Sequence, residues 1–288
     1  MMIRAYRWYG GKLRVVHELN SCIPKHQEYY EPFMGSAALL LNHPRSLVEV
    51  LNDKDEDLVC LMKTLADRKK GKKLIKRFCH LCYGKEVYQE AERHRKNGYK
   101  GLSEVERAEK VYILITQSFN ATRKGFGRST YPDTYSYQKD ILFHLPHVYE
   151  RMKGVKVLHG DGIDLIAKIA ENPNAFVMAD PPYRASLRGK GADKVYACEL
   201  PDNEQRRLLE TVRSCQCKVL LCGYKEQGKG DLYDRSLLPY GWKCYKLKDL
   251  VKTCQVKKQK DVGQEYIWVN YNLPDLARYT ISMKEESS

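Results

Sequence analysis

Short apolar runs near the N-terminus alternate with a helical pattern. The runs at residues 29–33 and 47–51 predict two strands, and the small and leucine-rich residues 36–41 between them predict a helix. Gly35 marks the turn into that helix, and Ser36 is available near its start. A strand–helix–strand unit of this kind predicts parallel strands in an α/β sheet.

The remaining strand patterns lie in the C-terminal half of the chain, at residues 155–158, 175–179, 218–222 and 266–270. A helix with an acidic first turn is predicted over residues 201–209.

The middle of the chain has a different character. Cations crowd residues 63–77, a helical pattern covers residues 103–118, and the glycine-rich residues 120–128 suit a hairpin or loop better than a helix. We therefore predict an α/β sheet built from residues 1–56 and 151–288, interrupted by a basic, mainly helical insert at residues 57–150.

The charge of the chain indicates the class of partner. Fifty Lys and Arg residues stand against 36 Asp and Glu residues, which leaves a formal charge of +14, and 21 tyrosines stand against six phenylalanines. Cations attract phosphate polymers, and tyrosine rings stack on bases. The alternative is a basic protein whose lysine clusters, at residues 68–73 and 257–260, are simply solvated. No apolar run long enough to span a membrane and no signal-peptide pattern occurs, so we expect a cytoplasmic location and no membrane partner.

Ten cysteines in such a chain are expected to be reduced. Cys79 and Cys82, with His80 and His94 nearby, are the most suggestive group for zinc. A structural zinc site needs four ligands at closed spacing, and no second cysteine pair follows in register. We expect no metal and interpret the thiols as buried or idle.

The sharpest motif is Asp180-Pro181-Pro182-Tyr183, directly after the strand predicted at residues 175–179. Open α/β sheets bind ligands at the carboxyl ends of their strands. The two prolines remove N–H donors, Asp180 offers a carboxylate acceptor and Tyr183 an aromatic face. This combination suits a planar base whose amino group donates hydrogen bonds. A proline-rich turn without chemistry is the plainer interpretation.

Two N-terminal motifs indicate the second ligand. Gly35 in the Glu31–Ser36 run lets a ligand approach the backbone, and Asp53, eighteen residues later, can bind ribose hydroxyls. The three-glycine dinucleotide fingerprint is absent, so a nucleoside without pyrophosphate, such as S-adenosylmethionine, fits better. In the run from Arg7 to Lys12, which lacks P-loop spacing, Lys12 can reach a carboxylate and Trp8 can pack on adenosine.

Together these motifs resemble the Dam-like, D12 class of DNA adenine-N6 methyltransferases. The runs from Arg7, Glu31 and Asp180 resemble that family's W-x-G-G-K, E-P-F-x-G-x and D-P-P-Y motifs, in the family's order. The resemblance implies a Rossmann-like S-adenosylmethionine-dependent methyltransferase sheet with an inserted target-recognition domain. It also implies duplex DNA as partner, no obligate protein partner, and a place among restriction-modification enzymes.

The resemblance also implies roles for individual residues. Asp180, Pro181, Pro182 and Tyr183 would be catalytic, and Arg7, Asn120, Arg123 and Lys124 would contact DNA. The cofactor site would comprise Trp8, Lys12, Glu31, Phe33, Gly35, Asp53, Asp161 and Asp180.

The sequence departs from the family pattern at three positions. Tyr9 stands where a smaller residue is usual, and Ala37 stands where a second glycine is usual. Ala121 replaces the glycine of the usual asparagine–glycine step. Three alternatives stay open: cytosine-N4 methylation, for which serine in place of Asp180 is more usual, adenine methylation in RNA, and a catalytically idle DNA-binding protein.

Overall fold

The structure is a computed structural model that describes residues 2–127, 131–188, 197–226, 230–251 and 262–281. The lysines at residues 257–260, Arg128 and the tail from Lys284 lie outside these residues. Within them, every helix is too short or too polar to cross a bilayer.

In chain order the strands are β1 (Glu28–Glu31), β2 (Val48–Asp53), β3 (Lys156–His159), β4 (Ala175–Ala179), β5 (Lys218–Tyr224), β6 (Lys243–Val251) and β7 (Val262–Val269). The α-helices are α1 (Val16–Cys22), α2 (Ala38–Leu41), α3 (Glu56–Ala66), α4 (Arg68–Phe78), α5 (Lys85–Lys96), α6 (Glu104–Thr116), α7 (Thr134–Met152), α8 (Gly162–Ile169), α9 (Asp202–Arg213) and α10 (Leu232–Leu237).

The chain forms two compact units. The first contains Met1–Leu13, Gly35–Asn42 and Asp55–His159, and the second contains Arg14–Met34, His43–Lys54 and Gly160–Ser288. The proposed division at residues 56 and 150 stays a prediction, because each unit gathers several separate stretches of the chain.

The second unit is built on a sheet in the order β2-β1-β4-β5-β7-β6. Strands β1, β2, β4 and β5 are parallel, and β7 runs antiparallel to both β5 and β6. All five residues of β4 are buried, as expected for a central strand covered on both faces. Tyr29, Phe176 and Trp268 are the largest side chains completely buried in this unit. The predicted α/β fold with a parallel sheet is confirmed.

The first unit is mainly helical and packs around α6. Ser103 and Glu106 form a capping box at the start of this helix, and residues 111–116 are all buried. Helices α3, α4 and α5 pack against α6. In α4, a Cβ added at Gly71 would lie 2.7 Å from the ring of Tyr149, so the glycine permits close packing.

Two local predictions differ from the structure. The helix expected from Ser36 begins at Ala38, after Ala37 in a left-handed conformation (φ 51°), and no side chain caps it. Neither β6 nor an individual helix at α7 was predicted from the sequence; α7 contains Pro146 and lies mostly within the insert predicted as mainly helical.

Candidate active site

Three parallel strands of the second unit end side by side with the predicted site residues. The register pairs Glu31, the last residue of β1, with Leu51 on β2, and β2 ends at Asp53. It also pairs Tyr30 with Val177 on β4, which ends at Ala179, so Phe33 and Asp180 follow directly beyond the carboxyl ends of their strands. The sheet therefore brings Phe33, Asp53 and Asp180 to one edge.

This edge lies at a reversal in the strand order. β1 stands between β2 and β4, so the chain moves outward to β2 after β1 and passes to the other side when it forms β4 and β5. Ligands of open α/β sheets bind outside the carboxyl ends of the strands at such a point.

The turn after β1 is braced by a residue that the sequence analysis missed. Asn52 is buried, and its side-chain nitrogen donates to the carbonyl oxygens of Pro32 (2.9 Å) and Gly160 (3.0 Å). The backbone N–H of Met34 donates to the Asn52 carbonyl at 2.9 Å. An asparagine at the end of a strand carries no distinctive sequence signal, because its partners lie 20 and 108 residues away.

A glycine approaches the same turn. A Cβ added at Gly162 would lie 2.7 Å from both the Phe33 ring and the Pro32 carbonyl oxygen. Phe33 is half-buried, and Glu31 is buried and accepts a hydrogen bond of 2.7 Å from the Tyr29 hydroxyl. The turn is thus closely packed, while Asp53 stays half-exposed.

Asp161 caps α8. Its carboxylate accepts from the backbone N–H groups of Ile163 (2.9 Å) and Asp164 (3.3 Å). The carboxylate also lies 3.6 Å from Lys54 and 3.6 Å from Arg207. Its charge is therefore engaged within the unit.

The Asp180–Tyr183 segment follows β4 directly, and its tyrosine is only 7% exposed. The Tyr183 ring meets Tyr224 edge-on at 4.6 Å, and its hydroxyl donates to Glu265 at 3.4 Å. Burial, followed by the charges of Asp180 and Glu265, raises the pKa of Tyr183 well above its ordinary value. The hydroxyl is therefore neutral and positions the ring.

The other site residues belong to the first unit. Trp8 packs on Gly35, where an added Cβ would lie 3.0 Å from the indole nitrogen, and Gly35 has φ +46°. The Tyr6 hydroxyl donates to the Gly35 carbonyl at 2.8 Å. Lys12 is buried, and its ammonium donates to the Gly10 carbonyl at 3.2 Å. The W-x-G-G-K motif and Gly35 are thus brought together.

The segment predicted as a hairpin or loop is a tight loop closed by an antiparallel bridge between Ser118 and Phe126. Asn120, Ala121 and Arg123 have positive φ (50°, 58° and 58°) although none is glycine. Such backbone strain persists only where the surroundings hold it, and it is common at functional sites. Asn120 is half-buried and Lys124 exposed.

Arg123 does not lie on the surface of this loop as expected for a DNA contact. It is 6% exposed, forms an ion pair with Asp55 and lies 3.5 Å from Asp57. Burial alone would lower the pKa of Arg123, but the hydrogen bond and charge of Asp55 and the charge of Asp57 raise it. The side chain fixes the loop to the start of α3. Arg7, by contrast, is exposed, and its guanidinium lies 5.4 Å from the centre of the Tyr131 ring.

The cysteine–histidine group gives no metal centre among the described residues, where no cluster of three potential ligands occurs. Cys79 donates to the Ile75 carbonyl at 3.3 Å, and Cys82 is exposed.

Comparison with known proteins gives the family. No curated protein sequence matches the chain. One similar solved structure is the rRNA methyltransferase aviRa from Streptomyces viridochromogenes, which is 12% identical in sequence. The match covers 93% of this chain and 87% of that chain, with a TM-score of 0.37. The model of the D12 class N6 adenine-specific DNA methyltransferases matches residues 8–261. Since this match spans most of the sequence, the chain belongs to the D12 class of N6 adenine-specific DNA methyltransferases.

Proposed function

We propose that the chain transfers a methyl group from S-adenosylmethionine to N6 of an adenine rotated out of duplex DNA. The family gives adenine-specific DNA methylation and implies S-adenosylmethionine as cofactor. The roles of individual residues, the rotation of the adenine out of the duplex and the direct methyl transfer are what we propose. The observation that carries it is the position of Phe33, Asp53 and Asp180 at or just beyond the carboxyl ends of three adjacent parallel strands, β1, β2 and β4.

The residues of this edge fit a nucleoside. The half-exposed Asp53 carboxylate is an acceptor for ribose hydroxyls, and the Phe33 ring offers an apolar surface. Gly162 permits the close approach of the turn that holds Phe33. The buried Glu31 would act from behind this turn, and Asp161, whose carboxylate is engaged, would shape the adenine side through the start of α8.

Trp8, Lys12 and Gly35 are proposed as cofactor contacts on their motif positions. Lys12 would supply a cation for the carboxylate of the methionine part, and Trp8 an aromatic surface for the adenosine part. The contact of Trp8 with Gly35 supports a shared role for these two motifs.

Catalysis requires an amine with an available lone pair. The lone pair of adenine N6 is delocalised into the ring, which makes the amine a weak nucleophile. We assign the Asp180 carboxylate and the Pro181 carbonyl as acceptors for the two N6 hydrogens, an arrangement that favours a pyramidal nitrogen. S-adenosylmethionine, when bound, supplies an electrophilic methyl group in line with that nitrogen. No covalent enzyme intermediate is needed: the bond from N6 to the methyl carbon would form as the bond from that carbon to sulfur breaks, S-adenosylhomocysteine would leave, and one N6 proton would pass to the Asp180 carboxylate and on to solvent.

The target base must leave the stack, because N6 cannot be reached in line inside the duplex. Flipping costs a few kcal/mol, offset by contacts in the pocket. Tyr183, held by Tyr224 and Glu265, would form the wall against which the adenine rests. Arg7, Asn120 and Lys124 are proposed as DNA contacts, whereas the burial of Arg123 removes it from that set.

The test is incubation of the purified chain with unmethylated duplex DNA and S-adenosylmethionine, followed by mass spectrometry of the nucleosides. N6-methyladenine is expected, and sequencing of the modified positions then gives the target. N4-methylcytosine would overturn the base assignment. Methylation of RNA alone, or no methylation by protein that binds S-adenosylmethionine, would overturn the duplex DNA substrate or the activity.

A further inference from the structure

Four lysines form a ridge along α4. Lys69, Lys72, Lys73 and Lys76, called here the lysine ridge, are all exposed. The opposite face of the helix, with Gly71, Leu74 and Phe78, is buried in the first unit. At 3.6 residues per turn, the four lysines fall within about 100° of arc, centred opposite the buried face.

Two other cations of α4, Lys70 and Arg77, have acidic partners. Lys70 pairs with Glu104, and Arg77 pairs with Glu109, both on α6. Among the ion pairs of the described residues, none contains a lysine of the ridge. The fold therefore neutralises the side of α4 that faces α6 and leaves the ridge charged.

This arrangement is unfavourable for an isolated helix. Lysines three or four positions apart repel one another, and the ridge contains four such pairs. The N-cap Asp67 accepts from the backbone N–H groups of Lys69 (2.8 Å) and Lys70 (2.7 Å), so its charge lies at the start of the helix and not along the ridge. A polyanion bound along the ridge would offset the repulsion.

We propose that the lysine ridge binds the phosphate backbone of duplex DNA without reading its sequence, as a contact separate from the loop at residues 118–127. The ridge is about 10 Å long at 1.5 Å per residue, which corresponds to about three phosphates of one strand at 3.4 Å spacing. Lysine side chains act as flexible point charges toward phosphate. The proposal rests on the proposed function only in taking duplex DNA as the substrate.

The chemistry of the ridge favours DNA over a membrane. A helix that binds a lipid surface presents large apolar residues beside its cations. On α4 the apolar residues Leu74 and Phe78 are buried in the unit and Ile75 is half-buried, so the exposed face offers mainly charge. Charge alone suffices for phosphate binding, which is strongly dependent on salt.

The test compares two variants with the same loss of positive charge. The ridge variant carries Lys69→Gln, Lys72→Gln, Lys73→Gln and Lys76→Gln. The control variant carries Lys25→Gln, Lys156→Gln, Lys168→Gln and Arg206→Gln, all at exposed positions outside α4. Thermal unfolding of both variants establishes that they fold. Binding to a short duplex of mixed sequence, without cofactor, is measured by fluorescence anisotropy over a range of salt concentrations.

We expect the ridge variant to bind at least about tenfold more weakly than the wild type. Since each phosphate contact contributes about 0.9 to the slope of log K against log salt, loss of about three contacts reduces that slope by about 2.7. The control variant should keep both values close to those of the wild type. With methylation as readout, the ridge variant should raise the KM for DNA and keep kcat at saturating DNA.

Equal losses of binding in the two variants would overturn the proposal, because net charge would then explain the effect. Loss of binding to RNA or to anionic vesicles with unchanged binding to DNA would also overturn it. A wild type that binds duplex DNA but forms no N6-methyladenine refutes the proposed function alone. The ridge is then still judged by the binding measurement, which needs no methyl transfer.

Discussion

The side-chain nitrogen of Gln205 donates a hydrogen bond of 2.8 Å to the carbonyl oxygen of Pro182. The same nitrogen lies 3.3 Å from the Leu200 carbonyl, and the Gln205 side-chain oxygen accepts from the Tyr233 hydroxyl at 2.6 Å. Gln205 is fully buried, so these bonds are stronger than they would be in water. Helices α9 and α10 thereby fix the second proline of the motif, directly after the two proposed acceptors.

The first prediction concerns this contact. Gln205→Leu leaves the Pro182 carbonyl and the Tyr233 hydroxyl without their partner, which costs about 1–3 kcal/mol of unfolding free energy. Because the Asp180–Tyr183 segment loses its brace, we expect kcat for methyl transfer to fall while the affinity for S-adenosylmethionine is retained. Steady-state kinetics, calorimetric titration of the cofactor and urea unfolding measure the three effects.

Tyr233→Phe is the matched control, since it removes the hydroxyl and keeps the amide that bonds to Pro182. It should lower stability with a smaller effect on kcat. If Gln205→Leu lowers stability and leaves kcat unchanged, the hydrogen bond contributes only to folding, and Gln205 is not a positioning residue.

The second prediction separates neighbouring cations in the loop at residues 118–127. Arg123→Met leaves the buried carboxylate of Asp55 uncompensated, and breaking a buried pair in this way costs about 3–5 kcal/mol. Lys124→Gln changes an exposed residue, so stability should stay constant while DNA affinity falls. Urea unfolding and anisotropy titration with duplex DNA measure these two properties.

The opposite result for stability and DNA affinity would contradict the burial of Arg123. If Arg123→Met is as stable as the wild type and binds DNA as weakly as Lys124→Gln, the guanidinium contacts DNA directly.

The strands of the sheet core could be predicted because burial on both faces requires continuous apolar runs. β4, with all five residues buried, coincides with its predicted run. β6 was missed although polar and apolar residues alternate in part of it, from Tyr245 to Lys248; this stretch is short, and the pairing with β7 extends the strand beyond it. α7 contains Pro146, which disfavours a helix locally, and tertiary packing overrides that preference.

Local motifs predict the chemistry-bearing residues of the proposed site, but they do not predict the residues that hold them in place. Asn52 and Gln205 act through hydrogen bonds to backbone carbonyls distant in sequence. For Arg123, the prediction from the local sequence differs from the structure. A cation in a glycine-rich loop predicts a surface contact, but the pairing with Asp55, 68 residues away, decides its burial.

The third prediction concerns the close approach of α8 to the turn after β1. Gly162→Ala places a Cβ 2.7 Å from the Phe33 ring and the Pro32 carbonyl, so the turn must shift. We expect the Kd for S-adenosylmethionine to rise about tenfold, which corresponds to about 1.4 kcal/mol. Gly160→Ala is the control, since its Cβ would meet only the Asn52 side chain at 3.7 Å. Equal Kd values for the two variants in calorimetric titration would show that the turn does not contribute to cofactor binding.

The fourth prediction concerns the pH dependence of stability. Burial lowers the pKa of His144, the charge of Arg4 lowers it further, and Asp140 partly opposes both. The unfolded chain, where histidine titrates near about 6.5, therefore takes up the proton first. The contribution to stability is complete above that value and is lost as the pH falls toward the folded-state pKa.

His144→Gln should remove this part of the acid dependence. Urea unfolding of the wild type and the variant above and below the ordinary histidine pKa measures it, and the wild type should lose more stability on acidification than the variant. His17→Gln, at an exposed position on α1, is the control. Parallel pH profiles for the wild type and His144→Gln would contradict the prediction.

The last prediction tests the proposed acceptor itself. Asp180 is half-buried directly after β4, at the sheet edge where β1 and β2 also end, and its carboxylate is assigned to the N6 hydrogens of the target adenine. Asp180→Asn keeps one acceptor oxygen and loses the charge, so kcat should fall at least about 100-fold, the scale of a positioned proton acceptor. Asp180→Ala should abolish methyl transfer. In both variants S-adenosylmethionine binding should stay largely intact, because the acceptor acts on the base. Loss of cofactor binding in proportion to kcat would instead assign Asp180 to the cofactor site. Unchanged turnover in Asp180→Ala would refute its catalytic role.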